Sequence, residues 1–462
     1  MHWVILLSGS LLWAQRILSR TQIEVKGYSV EKIGLPLSPT PVGKGRFAYI
    51  EYWAQDKPRP GWYIECLNTQ YYTQWSQYLE IPKAGEGRPL RLISMKDALI
   101  ACAYEEDPLT RGVVQLAGRF YDFKGQPLLP KWIPLSVYDR PATDAISDVR
   151  LSPDSTHLLW YAYKLGKKGQ IENGWYAVWN SAGKKVSSST QWPLSGTPLS
   201  IQLDHKLCIW TIEKAGPKGL KVVEYNTRAR TTRQWPINID TALYAPYLHL
   251  TKCCVYIIGL LPGEKGIPHV EGQVSRWAVG RLTFPVSDTS AIEWSIAPIP
   301  NEWSSFYPEL THFNVAHILT LEDTLLYILW EDNQIRAGTA LSYDVWIVQW
   351  SQREDSLLYR WAYRIEKRQR EPSPEMTSFI WGLSETFLTI AFLTERTGKG
   401  KLIAYLLNHE TGEALTKELA QNTAGDLLIL PRRTAYLGLR EVICLALAPP
   451  GKNGYQIYHL RL

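Results

Sequence analysis

The chain has 462 residues, with 50 Lys plus Arg set against 44 Asp plus Glu for a formal net charge of +6. So small an imbalance on so long a chain demands neither nucleic acid nor an anionic membrane as a partner, and no nucleic acid is expected. Aromatic residues are 12% of the whole, and 20 Trp stand against 3 Met, a composition that suits interleaved sheet faces rather than helical bundles.

Residues 4–13 form an apolar run interrupted by Ser8, Gly9 and Ser10 and ended by Ala14 and Gln15, with charge beginning at Arg16. The run is too short to span a bilayer and suits the h-region of a secretory signal peptide cut after Ala14 or Gln15, although the n-region offers only His2 and the terminal amine. No Cys follows it to carry a lipid, and no later stretch is long and apolar enough to cross a membrane. The expected layout is a signal peptide over 1–15 and a single domain over 16–462, exported to the periplasm, the outer surface or the medium.

Residues 148–194 set the pattern for the rest. A short strand leads through the turn Ser152-Pro153-Asp154-Ser155 into a longer strand over 157–163, then a Gly/Lys-rich loop, a third strand over 175–179, a turn at 180–183 and a fourth strand through Trp192. Four antiparallel strands in about fifty residues make one blade of a β-propeller, with strands a, b, c and d. Candidates for strand b recur over 46–53, 98–104, 157–163, 206–212, 253–260, 325–330, 387–393 and 442–447. Thr190-Gln191-Trp192-Pro193-Leu194 also recurs, at Arg233-Gln234-Trp235-Pro236-Ile237 and more loosely around Trp75, Trp132, Trp294 and Trp361, which marks it as a strand d. Such a repeated Trp serves packing between blades, each burying on the order of 200 Å². The last unit lacks a strand d, and Thr21-Gln22-Ile23-Glu24-Val25 has its pattern. Lending that N-terminal strand to the last blade removes two open sheet edges. The fold expected is therefore all-β, a propeller of eight four-stranded blades closed by an N-terminal strand, with seven blades as the alternative.

The segment Leu151-Ser152-Pro153-Asp154-Ser155-Thr156-His157-Leu158-Leu159-Trp160 resembles the PD40 or TolB-type WD40-like propellers, whose blades carry an S-P-D-G turn before an apolar strand; Ser155 stands where Gly is usual. The resemblance spans this one blade. It implies an exported, partner-binding role and transfers no catalytic residue.

Chemistry-bearing motifs are missing: there is no Gly-x-Ser-x-Gly elbow, phosphate loop or His-Glu-x-x-His, and the 9 His are scattered singly. Of the six Cys (Cys66, Cys102, Cys208, Cys253, Cys254 and Cys444), Cys102, Cys208, Cys254 and Cys444 take similar places inside apolar strands of different repeats, and the set reads as free core thiols. No cofactor or metal is expected. Glu105, Glu106 and Asp107 in blade two and Glu331 with Asp332 in blade six are expected in b-to-c loops, on the face they share with the d-to-a connections, where opposed acidic loops suit a basic ligand. Trp53 and Trp330, at the ends of b strands, are the aromatic candidates on that face. The expected function is non-catalytic binding of a protein or peptide by a monomer; the alternatives are an envelope hydrolase of glycans or peptides and a carbohydrate-binding module, which would expose Trp53 or Trp330 flat to solvent.

Overall fold

The computed structural model describes residues 16–24, 37–53, 55, 57–81, 86–106, 113–142, 145–166, 171–194, 196–215, 219–239, 243–262, 274–299, 311–321, 324–336, 339–353, 356–365, 379–393, 402–420, 434–447 and 454–462. The proposed signal segment and Asp107 lie outside them. The described residues hold thirty-two strands and no helix, in eight four-stranded antiparallel sheets.

After β1 (Arg16–Glu24), blade 1 is β2 (Leu37–Pro41), β3 (Arg46–Trp53), β4 (Gly61–Asn68) and β5 (Thr73–Tyr78). Blade 2 is β6 (Glu86–Ser94), β7 (Leu99–Glu106), β8 (Val113–Tyr121) and β9 (Ile133–Ala142), and blade 3 is β10 (Ala145–Leu151), β11 (His157–Leu165), β12 (Ile171–Asn180) and β13 (Lys185–Ser189). Blade 4 is β14 (Pro198–Leu203), β15 (Cys208–Ala215), β16 (Gly219–Asn226) and β17 (Thr231–Pro236); blade 5 is β18 (Tyr244–Leu250), β19 (Cys254–Pro262), β20 (Val274–Thr283) and β21 (Glu293–Pro298). Blade 6 is β22 (Thr311–Leu321), β23 (Leu325–Arg336), β24 (Thr339–Arg353) and β25 (Ser356–Ile365), and blade 7 is β26 (Ile380–Leu383), β27 (Phe387–Leu393), β28 (Leu402–Asn408) and β29 (Ala414–Ala420). Blade 8 takes β30 (Thr434–Tyr436), β31 (Glu441–Leu447) and β32 (Gly454–Arg461) from the end of the chain, and β1 pairs antiparallel with β32 as its fourth strand. The eight-bladed count and the borrowed N-terminal strand are as the sequence led us to expect.

The chain divides into two compact units, one of residues 1–141 and 372–462, the other of 142–371. The first carries blades 7, 8, 1 and 2, and the second carries blades 3 to 6. Within a unit, a strand b flanked by two blades is buried on both faces, because alternate residues meet the blade before and the blade after. On β3, Phe47 and Tyr49 pack with Ile443, Leu445, Tyr455 and Ile457 of blade 8, whereas Ala48 and Ile50 pack with Leu92, Leu99 and Tyr121 of blade 2.

The repeated Trp residues join blades by a hydrogen bond as well as by area. The indole N–H of Trp75 in blade 1 donates to the carbonyl of Phe123 in the β8–β9 turn of blade 2, at 3.1 Å, and that of Trp235 in blade 4 donates to Ser287 in the β20–β21 turn of blade 5, at 3.0 Å. Trp75, Trp235, Trp294 and Trp361 lie in outer strands, but two copies do not. Trp132 precedes β9. β13 ends at Ser189, so residues 190–194 are a connection rather than a strand d: the Ser189 hydroxyl takes the Gln191 N–H at 3.2 Å, and Pro193 has no N–H for a ladder. In the turn before β11, Ser155 adopts φ 55, a left-handed conformation that glycine meets most easily, while the Asp154 carboxylate accepts from the hydroxyls of Ser152 and Thr156 at 2.6 and 2.8 Å.

Candidate binding sites near the b-to-c ends of two blades

The a-to-b turns of blades 1 and 4 close alike, by Val42 N–H to Arg46 C=O at 2.9 Å and Asp204 N–H to Cys208 C=O at 3.0 Å. Counted from those turns, Glu51 and Glu213 occupy the same step of strand b. Both follow an Ile, both face the preceding blade, and both are buried. An acid so placed must be neutralised or hydrogen-bonded.

In the first unit, the Tyr455 hydroxyl of β32 and the Trp53 indole N–H donate to the two oxygens of Glu51, and the Tyr49 hydroxyl stands 3.0 Å from that of Tyr455. Glu65, opposite Tyr49 on β4, receives Lys57 Nζ at 2.6 Å and the Ser76 hydroxyl at 2.5 Å. Lys57 also sits 5.2 Å from the ring centres of Trp53 and Tyr63. Burial pushes the Glu51 carboxyl up to about 8; Glu65 adds to the rise, and the bonds from Tyr455 and Trp53 and the charge of Lys57 oppose it. Glu51 is therefore a neutral acid at pH 7, with both oxygens engaged. It ties blade 8 to blade 1.

In the second unit the equivalent acid is fully buried behind a cavity wall. Glu213 takes the Thr211 hydroxyl at 3.2 Å and the Gly196 N–H at 3.1 Å, with Lys221 Nζ at 3.6 Å. Lys221 pairs with Glu213 and also hydrogen-bonds to Gln234 Oε1 at 3.2 Å. A Cβ on Gly196 would stand 2.6 Å from Glu213 Oε2, so only glycine brings its amide to the carboxylate there. Burial holds the Glu213 carboxyl above its ordinary value, while Lys221, Thr211 and Gly196 pull it back. Around it lies a cavity of about 340 Å³, lined by Pro193, Leu194, Glu213, Lys221, Val223, Thr232 and Gln234. It starts at the d-to-a connection of blade 3 and the b-to-c end of blade 4 and runs along β16 and β17. Its size is that of a small-ligand or side-chain pocket.

The sequence-derived candidates fall partly elsewhere. Trp53 belongs to the Glu51 cluster, half-buried beneath Lys57. Trp330 is 1% exposed, packed 5.3 Å from Trp277 in the core between blades 5 and 6, and cannot lie flat to solvent. Glu105 and Glu106 end β7, and Glu331 and Asp332 lie inside β23, whose ladder with β24 runs on through Asp332 opposite Asp344 to Arg336. These four are thus strand residues, not loop residues, because blades 2 and 6 extend their hairpins beyond the expected ends; their side chains lie outside the described residues. The acidic pairs fall in different units. Glu51 and Glu213 were missed, and the one signal for them is an acid directly after Ile within an apolar strand.

Asp204, Cys208 and Glu224 converge, with ligand atoms within 4.8 Å of one another. Both Asp204 oxygens and one of Glu224 already have partners: Asp204 accepts the N–H groups of Lys206 and Cys208 at 2.8 Å each and the Trp210 indole at 3.0 Å, and Glu224 Oε2 accepts Arg233 Nε at 2.6 Å. Burial and the two carboxylates push the Cys208 thiol well up, so it stays protonated and the group is a turn lock. All six cysteines are free, five of them buried and Cys253 half-buried.

Fold and site together define an eight-bladed β-propeller with a carboxylate-lined pocket between two blades. No known protein family matches the chain, and no curated protein matches it. Among solved structures it is similar to the β-propeller domain of the Trilobed protease from Pyrococcus furiosus (7% identity, 83% of this chain and 94% of that one, TM-score 0.39). It is also similar to a protein from Lactobacillus plantarum (14% identity, 82% and 96%, TM-score 0.40) and to a post-proline cleaving enzyme from Rickettsia typhi (9% identity, 91% and 58%, TM-score 0.42). Likeness at this level says nothing about chemistry. Among the described residues no helix is long and apolar enough to cross a membrane.

Proposed function

We propose that this protein is a non-catalytic, exported binding protein that takes a protein or peptide partner at the b-to-c and d-to-a end of its blades. The observation that carries the reading is the pocket at Glu213, which combines apolar walls, a buried carboxylate and polar groups at its mouth beside the blade 3 to blade 4 connection. That combination orients a ligand by a few polar contacts and holds it by area. Glu51, a strongly shifted carboxyl, supports the same reading, since its oxygens are spent on Tyr455 and Trp53 and it joins two blades.

Photo-crosslinking tests this. A benzophenone side chain replacing the exposed Gln234, at the pocket mouth, is expected to capture a polypeptide from the native envelope. The same group replacing the exposed Glu410, in the β28–β29 turn at the other end of a blade, is expected to capture none. Capture from Glu410 alone, or from neither position, removes the reading.

A further inference from the structure

We infer that Cys253 and Cys254, at the a-to-b turn of blade 5, are a redox modification site, oxidised to a reversible disulfide by a small-molecule disulfide. Cys253 reacts first and Cys254 resolves. The site lies at the other end of the blades from the pocket and stands apart from where a partner binds. Consecutive residues of a regular strand turn their side chains to opposite faces. Here the turn cancels that alternation. Thr251 N–H closes it on Cys254 C=O at 3.0 Å, and the Thr251 hydroxyl takes the N–H groups of Cys253 and Cys254 at 3.4 and 3.1 Å. The two sulfurs are left 3.1 Å apart, with Thr251 Oγ1 3.3 Å from Cys253 Sγ. The other four Cys stand one to a blade, in blades 1, 2, 4 and 8.

Unequal access sets the order of reaction. Cys253 is half-buried and meets solvent, whereas Cys254 is buried in the core between blades 5 and 6. There its Sγ lies 3.7 Å from the Tyr256 hydroxyl and 3.8 Å from Gln352 Oε1 of blade 6. Burial and the neighbouring thiol push Cys254 up to about 11, so it does not meet an outside disulfide on its own. The Cys253 thiolate attacks one sulfur of the small disulfide; a mixed disulfide forms and one thiolate leaves. Cys254 Sγ then attacks Cys253 Sγ, its proton passes to the departing thiolate, and the second small thiol is expelled. Two protein thiols become one disulfide and one small disulfide becomes two thiols, so electrons and protons balance. The bridge spans a single peptide bond, whose Cα atoms stand about 3.8 Å apart, below the roughly 4.4–6.8 Å usual for a disulfide. Such a bridge is strained and readily reduced, which suits a switch rather than a staple. Oxidation takes the Cys254 S–H from its contact with Gln352 and so reaches into the joint between blades 5 and 6.

The test treats the reduced full-length protein with oxidised glutathione, quenches in acid, alkylates in urea with N-ethylmaleimide and weighs the tryptic peptide that carries both residues. That peptide is expected to be two hydrogens light and unalkylated, with dithiothreitol restoring both thiols, while the other four Cys are alkylated in full. Cys254→Ala should retain glutathione on Cys253, and Cys253→Ala should leave Cys254 unmodified. Should either variant fail to fold by circular dichroism, the wild-type result decides alone. Two alkylated thiols after treatment, glutathione held stably on wild-type Cys253, or a disulfide-linked dimer overturns the inference. So does loss of the two hydrogens only after unfolding in urea, since the folded turn would then not be its cause.

Discussion

Replacing Glu51 by Gln removes one proton-binding group from the contact between blades 8 and 1 and leaves its hydrogen bonds in place, since the amide oxygen can accept from Trp53 and the amide N–H can donate to Tyr455. The groups facing Glu51 are Tyr49 on its own strand, Glu65 on β4, Lys57 in the b-to-c loop and Tyr455 on β32. Its folded carboxyl titrates at about 8 against an ordinary value of 4.5. Below pH 4.5 both folded and unfolded chains hold the proton, and the contribution to stability is complete. Between there and pH 8 only the folded chain holds it, so stability falls as pH rises, by up to about 1.4 kcal/mol per pH unit. Over the whole window the loss is on the order of 5 kcal/mol from this one group. Above pH 8 both states are ionised and the slope vanishes. Urea denaturation of wild type and Glu51→Gln at pH 5, 6, 7 and 8 reads this directly, because other titrating groups are common to both proteins and cancel in the difference. The variant is expected to gain on the wild type by more than about 2 kcal/mol between pH 5 and pH 8. Parallel pH profiles would refute the burial of a neutral Glu51.

Trp235→Phe deletes the indole bond to Ser287 and part of the stack on Trp210, and should cost about 1–3 kcal/mol in a urea titration; an unchanged midpoint would deny the Trp its role between blades. Iodoacetamide at pH 8 should label Cys253 in the native protein ahead of the other five thiols, with its neighbour Cys254, 3.1 Å away and pushed up to about 11 by burial and by Cys253 itself, protected until unfolding. Mass spectrometry showing rapid labelling of Cys254 would contradict its burial. Residues 1–15, fused to a reporter active only after export, should direct it across the membrane, and a reporter retained inside would remove the export proposal.

Architecture was legible because each blade repeats the same demands. Strand b over 46–53 matches β3 residue for residue, and the N-terminal pattern at Thr21 does complete the last blade. Errors came where a connection borrowed strand-like residues. Trp192 follows β13 and packs on Tyr161 and Tyr163 from a connection, and nothing in its letters separates it from Trp235, which sits in a strand. The acids were hardest to read. Glu331 looked like a loop residue because charge clusters there, yet it continues a ladder. Glu51 carried no signal of its own beyond its place after Ile50, and its partner, Tyr455, is 404 residues away. A propeller strand has no solvent side near its centre, so an acid after Ile in strand b is the informative residue, and its meaning depends on what the neighbouring blade brings to it.

Hydrogen exchange of the protein with and without its captured partner bears most directly on the claim that the pocket end of the blades is the binding surface. Partner binding is predicted to slow exchange at residues 193–196, 213–215, 219–223 and 232–234, and to leave the turns at 180–184 and 408–413 unchanged. Protection confined to those turns, with the pocket strands exchanging as before, would contradict the account.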